Sequence, residues 1–198
     1  PQPCGRGWSP DGTIAEYTTP TGWPSWSPDG TRVAYSSKIS PDNWEIDIVD
    51  LATGDTVRLT DHDSKDVMPS WSPDGTKIAF ASDRDGDFDI YVMDRDGANV
   101  TQLVNRASTD LHPSWAADGE RIMFASDRFE ARSTIYIMNA DGTNQTQVSR
   151  TEEGGKEPAW SPDISRIVYS GAGDRDGEQW IVALYFGRLA PSISRVRK

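Results

Sequence analysis

The densest set of chemically capable side chains lies in Asp83-Arg84-Asp85-Gly86-Asp87-Phe88-Asp89, where carboxylates alternate around one glycine. Carboxylates so spaced could wrap a hard cation in oxygen ligands, and Ca²⁺ is the ion that accepts a flexible cage of that kind. Asp83, Asp85, Asp87 and Asp89 are therefore the candidate metal ligands. The loop departs from the helical calcium-loop pattern, because its glycine stands fourth rather than sixth and strand-forming residues follow. The competing reading is a solvated hairpin tip, where Asp and Gly are ordinary turn residues, and it is the stronger one. Asp174-Arg175-Asp176-Gly177-Glu178 carries a weaker form of the same ambiguity.

Catalysis finds little support. The two histidines, His62 and His112, occupy different offsets in the repeat described below, so fold symmetry does not bring them together. There is no Gly-x-Ser-x-Gly elbow, no His-Glu-x-x-His and no phosphate-cradling glycine loop. With 31 acidic residues, carboxylate pairs suited to acid–base work arise by chance alone. No catalytic residue is assigned, and no cofactor other than Ca²⁺ is expected.

The aromatic residues offer a different chemistry. Trp26, Trp71, Trp115 and Trp160 recur at intervals of 45, 44 and 45 residues, which marks them as architecture rather than a sugar-stacking set. Trp23, Trp44 and Trp180 fall off that register and are the better candidates for exposed contact. Trp23 stands three residues before a repeat tryptophan, a place taken in later units by Met68, His112 and Glu157. These positions are expected on the innermost strand, near a central channel. Their unlike chemistry suits neither a symmetric metal ring nor a repeated ligand pocket.

The elements that must carry these residues follow from the repeat. Trp26-Ser27-Pro28-Asp29-Gly30 recurs at Trp71, as Trp115-Ala116-Ala117-Asp118-Gly119, and as Trp160-Ser161-Pro162-Asp163, where Ile164 replaces the glycine. Two apolar runs follow in each unit, such as Lys77-Ile78-Ala79-Phe80 and Ile90-Tyr91-Val92-Met93, and then a weaker strand ending near Leu59, Leu103, Val148 or Ile193. Eight Asp-Gly pairs punctuate the chain, and Asp-Gly between short β-rich runs is a strong hairpin signal. Ile78, Ala79 and Phe80 in succession require a strand covered on both faces, as in stacked sheets. The pattern predicts an all-β fold, a β-propeller of four-stranded antiparallel blades.

It comprises four full repeats, at about 20–64, 65–109, 110–154 and 155–198, plus a partial N-terminal repeat over 1–19. The whole chain, 1–198, reads as a single domain. Ile14 precedes Trp26 by 12 residues, as Leu59 precedes Trp71, so the N-terminus is expected to supply an outer strand. Such a strand would close a four-bladed ring on the last blade. Without it, open blade faces would associate into a homo-oligomer. The acid-free tail from Tyr185 to Lys198 reads either as the last outer strand, centred on Ile193, or as a solvated basic tail.

Pro69-Ser70-Trp71-Ser72-Pro73-Asp74-Gly75, with Ser82-Asp83-Arg84, Asp89-Ile90-Tyr91-Val92-Met93 and Asp96-Gly97, resembles the TolB-type β-propeller repeat. The resemblance spans about residues 20–184. Ser-Asp-Arg is missing from the first unit, at Ser37-Lys38, and from the fourth, at Gly171-Ala172-Gly173. It implies a ring commonly of six blades and a non-catalytic module that engages a protein or peptide through a loop face or channel mouth. Similar propellers also occur in oligosaccharide lyases and beside prolyl peptidase domains. A carbohydrate-binding propeller and a glycan lyase or hydrolase are thus the alternatives.

Composition narrows the partners. The chain of 198 residues has 20 basic and 31 acidic side chains, a formal charge of −11, which disfavours nucleic acid and anionic membrane surfaces. No apolar run is long enough to insert in a membrane. The opening Pro1-Gln2-Pro3-Cys4 has no initiator methionine and reads as a processed product, which favours a periplasmic or extracellular location. Cys4 is the only cysteine, so no intrachain disulfide forms; it reads as a terminal spectator ahead of a free thiol, an intermolecular link or a lipid attachment point.

Overall fold

The computed structural model describes residues 6–8, 14–16, 21–128, 132–149, 154–172, 179–185 and 193–197, with side chains over 22–128, 132–149 and 154–171. Cys4 and the stretch 174–178 therefore lie outside the described residues. Every element among the described residues is a strand, and every sheet is antiparallel. A short hairpin of β1 (Arg6–Trp8) and β2 (Ile14–Glu16) precedes four sheets of four strands. The first sheet is β3 (Thr21–Trp26), β4 (Arg32–Lys38), β5 (Trp44–Asp50) and β6 (Thr56–Arg58). The second is β7 (Asp66–Trp71), β8 (Lys77–Ser82), β9 (Asp89–Asp94) and β10 (Thr101–Gln102). The third is β11 (Asp110–Trp115), β12 (Arg121–Ser126), β13 (Thr134–Asn139) and β14 (Thr146–Gln147). The fourth is β15 (Lys156–Trp160), β16 (Arg166–Ala172), β17 (Gln179–Tyr185) and β18 (Ile193–Arg197). Strand order within each sheet follows the chain, the meander of a propeller blade.

The core lies between blades. Ala34, Ile46 and Ile48 of the first sheet pack on Trp71, Ile78, Phe80, Tyr91 and Met93 of the second. The second sheet turns Val67, Ala79, Ala81 and Ile90 to Ile122, Phe124, Tyr136 and Met138 of the third. Met123, Ala125 and Ile135 then meet Ile167 and Tyr169 of the fourth. Ile78, Ala79 and Phe80 are all fully buried, as a strand sandwiched on both faces must be.

The repeated Ser-Pro-Asp-Gly segment folds by its own side chains. Ser27 Oγ donates to Asp29 Oδ1 at 2.6 Å and accepts the Arg32 N–H at 2.9 Å, and Ser72 and Ser161 do the same. The following residue is left-handed, at φ 71°, 68° and 72° in Gly30, Gly75 and Gly119. Ile164 adopts the same conformation at φ 53° without being glycine.

Of the two outcomes open to the N-terminal segment, closure of a ring on the last blade is not seen among the described residues. Ile14 pairs with Trp8 inside the N-terminal hairpin, and among the described residues neither β1 nor β2 pairs with the fourth sheet. That sheet takes its outer strand from the C-terminal tail, which pairs β18 with β17 from Leu184↔Ile193 to Trp180↔Arg197. Ile193 begins this strand rather than centring it, and the tail is thereby a blade edge.

Candidate functional site

The inner strand of each sheet carries a bulge. Register with the second strand shifts between Gly22 and Ser25, Val67 and Ser70, Leu111 and Ser114, and Lys156 and Ala159. At each shift one residue is left-handed: Trp23 (φ 52°), Met68 (58°), His112 (56°) and Glu157 (51°). A proline follows every one, Pro24, Pro69, Pro113 and Pro158, and having no N–H it forfeits no ladder bond at a sheet edge. Each left-handed non-glycine costs roughly 1–2 kcal/mol, and a bulge re-aims the side chain it holds. The strain recurs at the four positions expected to border the channel.

Successive inner strands lie beside one another and are strapped together. Trp71 N–H donates to Ser25 Oγ at 3.1 Å and Trp115 N–H to Ser70 Oγ at 3.3 Å, while Met68 N–H reaches Ser36 Oγ of β4 at 3.0 Å. Trp160 Nε1 donates to the Ser114 carbonyl at 3.2 Å. Trp71, Trp115 and Trp160 pack on the interblade clusters, which is the architectural role expected of them.

Two of the three off-register tryptophans meet. Trp23 and Trp44 lie 6.0 Å apart edge to face, at 61° between ring planes, and Lys38 Nζ stands 5.6 Å from the Trp44 centroid. Trp44 is half-buried beside Met68 against the second core cluster, whereas Trp23 is 44% exposed. His112 is half-buried and Glu157 exposed. Burial holds the His112 imidazole below its usual pKa, with Lys156 adding to the effect and Glu157 opposing it. Trp180 sits elsewhere, in the third strand of the last blade, and its side chain lies outside the described residues.

The four loop aspartates do not converge. Asp83 accepts the Lys65 N–H at 2.7 Å, Asp85 accepts the Tyr91 hydroxyl, and Asp87 stays half-buried nearby. Asp89 is no loop residue: it opens β9, is 2% exposed, and accepts Gln102 Nε2 at 2.9 Å and the Arg106 N–H at 3.5 Å. Burial first, then the Asp110 and Asp87 charges, push its pKa up to about 6. Among the described residues no three His, Cys, Asp or Glu side chains form a metal-holding group. Asp83, Asp85 and Asp89 thus accept from donors of this chain, as side chains of a hairpin do.

The Ser-Asp-Arg stretch is instead a latch. Arg84 donates to the fully buried Asp66 at 2.8 Å and to Ser82 Oγ at 2.9 Å, and its guanidinium lies 4.9 Å from the Tyr91 ring centroid. In the third blade Arg128 repeats this on Asp110 at 3.0 Å, on Ser126 at 2.8 Å and on Tyr136 at 4.3 Å. Asp66 and Asp110 escaped the sequence reading. The signal was present: the first and fourth units, which lack Ser-Asp-Arg, carry Thr21 and Gly155 where the latched units carry Asp.

A second polar chain was equally unforeseen. His62 Nδ1 lies 2.9 Å from Ser64 Oγ, and Ser64 donates onward to Asp66 at 3.5 Å. Ser64 is buried and its proton is directed to a carboxylate, so the hydroxyl is spent on structure. Ser108 Oγ bonds Asp110 at 2.9 Å in the same way without any histidine.

Interblade packing and the bulged inner strands together define the stacked blades of a β-propeller, with unlike side chains at the four bulges. The chain matches the TolB beta propeller domain over residues 11–186 and belongs to that family. No curated protein sequence matches it. TolB from Acinetobacter baumannii is similar in structure, with a TM-score of 0.81 at 22% identity over 97% of this chain and 48% of that one. A putative TolB from Agrobacterium tumefaciens gives 0.81 at 22% over 96% of this chain and 78% of that one. A puromycin hydrolase gives 0.70 at 17% over 92% of this chain and 31% of that one, in its S511A mutant. At such identities the likeness concerns the fold. The chain spans about half the length of the Acinetobacter protein.

Proposed function

We propose that this chain is a non-catalytic binding module that engages a protein or peptide at the channel end lined by Trp23, Trp44, Met68, His112 and Glu157. One observation carries the reading: four left-handed bulge residues of unlike chemistry stand at equivalent places on a rigid, strapped frame. Strain of this sort persists only where the surroundings over-determine it, and it clusters at sites of contact. Family membership supports the reading, and it favours a periplasmic or exported location.

Photo-crosslinking tests this directly. A photoreactive residue in place of Met68 should capture a protein partner in cells, while one at Thr31, on the opposite loop face, should not. Equal capture from both positions, or none from Met68, would reject the channel end as the docking site.

A second reading has its own observation. The edge-to-face Trp23–Trp44 pair, with one ring exposed, is the kind of surface on which a sugar stacks. Retention on immobilised oligosaccharide that disappears in Trp23→Ala would favour this carbohydrate-binding alternative. A glycan lyase or hydrolase is the remaining class, supported by the fold shared with an oligogalacturonate lyase, at a TM-score of 0.66 and 16% identity.

A further inference from the structure

Around the channel end the lining changes character from blade to blade. Trp23, Trp44 and Met68 form an aromatic and apolar flank on the first two blades. His112 and Glu157 form a polar flank on the last two. Because burial disfavours the imidazolium, His112 stands beside Glu157 as a neutral group and does not cancel its charge. Glu157 is exposed on its strained bulge, so its carboxylate is presented rather than folded away. Lys38 already lies against Trp44, which leaves Trp23 as the open ring.

From this division we infer that the occupant is a peptide segment bearing an arginine or lysine and an apolar residue, with the apolar group on Trp23 and the cation directed to Glu157. The inference rests on the binding reading above and specifies the chemistry of its ligand. Charge complementarity carries it: the ring of bulge residues holds one carboxylate and no cation, in a chain of formal charge −11. An acidic segment would meet like charge at the ring and across the molecule. A neutral sugar would leave the Glu157 carboxylate without an ionic partner.

The test uses three blocked tripeptides with leucine at both ends and arginine, citrulline or glutamate in the middle. Citrulline keeps the shape of arginine and removes its charge. Binding is read by calorimetry, with tryptophan fluorescence marking contact at Trp23. The arginine peptide should bind about tenfold more tightly than the citrulline one, the scale of one charge-assisted contact. Glu157→Gln should erase that preference, and Trp23→Phe should retain more affinity than Trp23→Ala for both peptides. Melting curves for each variant separate lost contact from lost folding.

Equal affinity for arginine and citrulline, a preference that survives Glu157→Gln, or no binding of the arginine peptide would each overturn the inference. Crosslinking from Met68 would still succeed in those cases if the broader binding reading is right. Failure of both experiments rejects both.

Discussion

At the scale of single residues, the positive-φ positions separate architecture from constraint. Ile164 occupies a turn position that glycine fills in the three preceding blades, and a β-branched residue there is strained. In those blades the glycine abuts a proline of the preceding unit: a Cβ on Gly75 would lie 3.2 Å from Pro28, and one on Gly119 would lie 3.4 Å from Pro73. The residue at the matching place before Ile164 is Ala117, so side-chain bulk was gained on one side and lost on the other. Ile164→Gly should therefore stabilise the chain by about 1 kcal/mol in denaturant melts. A loss of stability would show that the isoleucine contributes packing worth more than its strain.

Asp89 sets a pH dependence of definite sign. Its folded pKa, pushed up to about 6, lies above the ordinary carboxyl value of 3.8 that holds in the unfolded chain. Its contribution is fully present below pH 3.8 and is lost as pH rises through 6. Asp29 and Asp163 act oppositely: turn hydrogen bonds hold both near 2, so their contribution disappears as pH falls below 3.8. Asp89→Asn should flatten the decline in melting temperature between pH 4 and 7 and leave the acid limb unchanged. A decline that persists unaltered would place its origin elsewhere.

At the scale of elements, the latch explains why the second and third blades are the most regular. Arg84 and Arg128 each tie a loop to the start of an inner strand through a carboxylate with no exposure to solvent. Arg84→Met should cost about 3 kcal/mol, because Asp66 is left buried without its counter-ion, and Arg84→Met with Asp66→Asn should recover part of that. A single mutant as stable as the parent would reduce the latch to a surface pair. The same geometry predicts that calcium and chelator give equal melting temperatures, since Asp83, Asp85 and Asp89 already have donors. A rise with calcium would reveal a rearranged loop.

These elements also mark how far the sequence could be read. Strands, turns and blade packing followed from spacing alone, because each repeat solves the same local problem with the same residues. The channel positions could be located from the offset of Trp23, Met68, His112 and Glu157 before the repeat tryptophans. Their left-handed backbone could not be foreseen, since only glycine advertises that conformation. The Asp loop left two readings open because carboxylates look alike whether they hold a cation, a backbone N–H or a tyrosine. Pairing Arg84 with Asp66 requires two segments 18 residues apart, and only their joint absence from the first and fourth units betrays it.

At the scale of the whole molecule, the last blade leaves an apolar side chain of its second strand uncovered among the described residues. Ala34, Ala79 and Met123 occupy equivalent places in the second strands of the first three blades, and each is fully buried by its neighbour. Val168 holds that place in the fourth blade and is 39% exposed, while Ile167 and Tyr169 on its other side are buried against the third. The N-terminal hairpin pairs with itself and does not reach this sheet among the described residues. Open strand faces of this kind associate. In solution the 198-residue chain should therefore weigh more than its 21.9 kDa protomer by light scattering. Val168→Lys should return it to protomer mass, because an ammonium group at the centre of an apolar contact is left desolvated and unpaired. The parent running as a monomer, or the variant keeping the parent's mass, would show that this face plays no part in assembly.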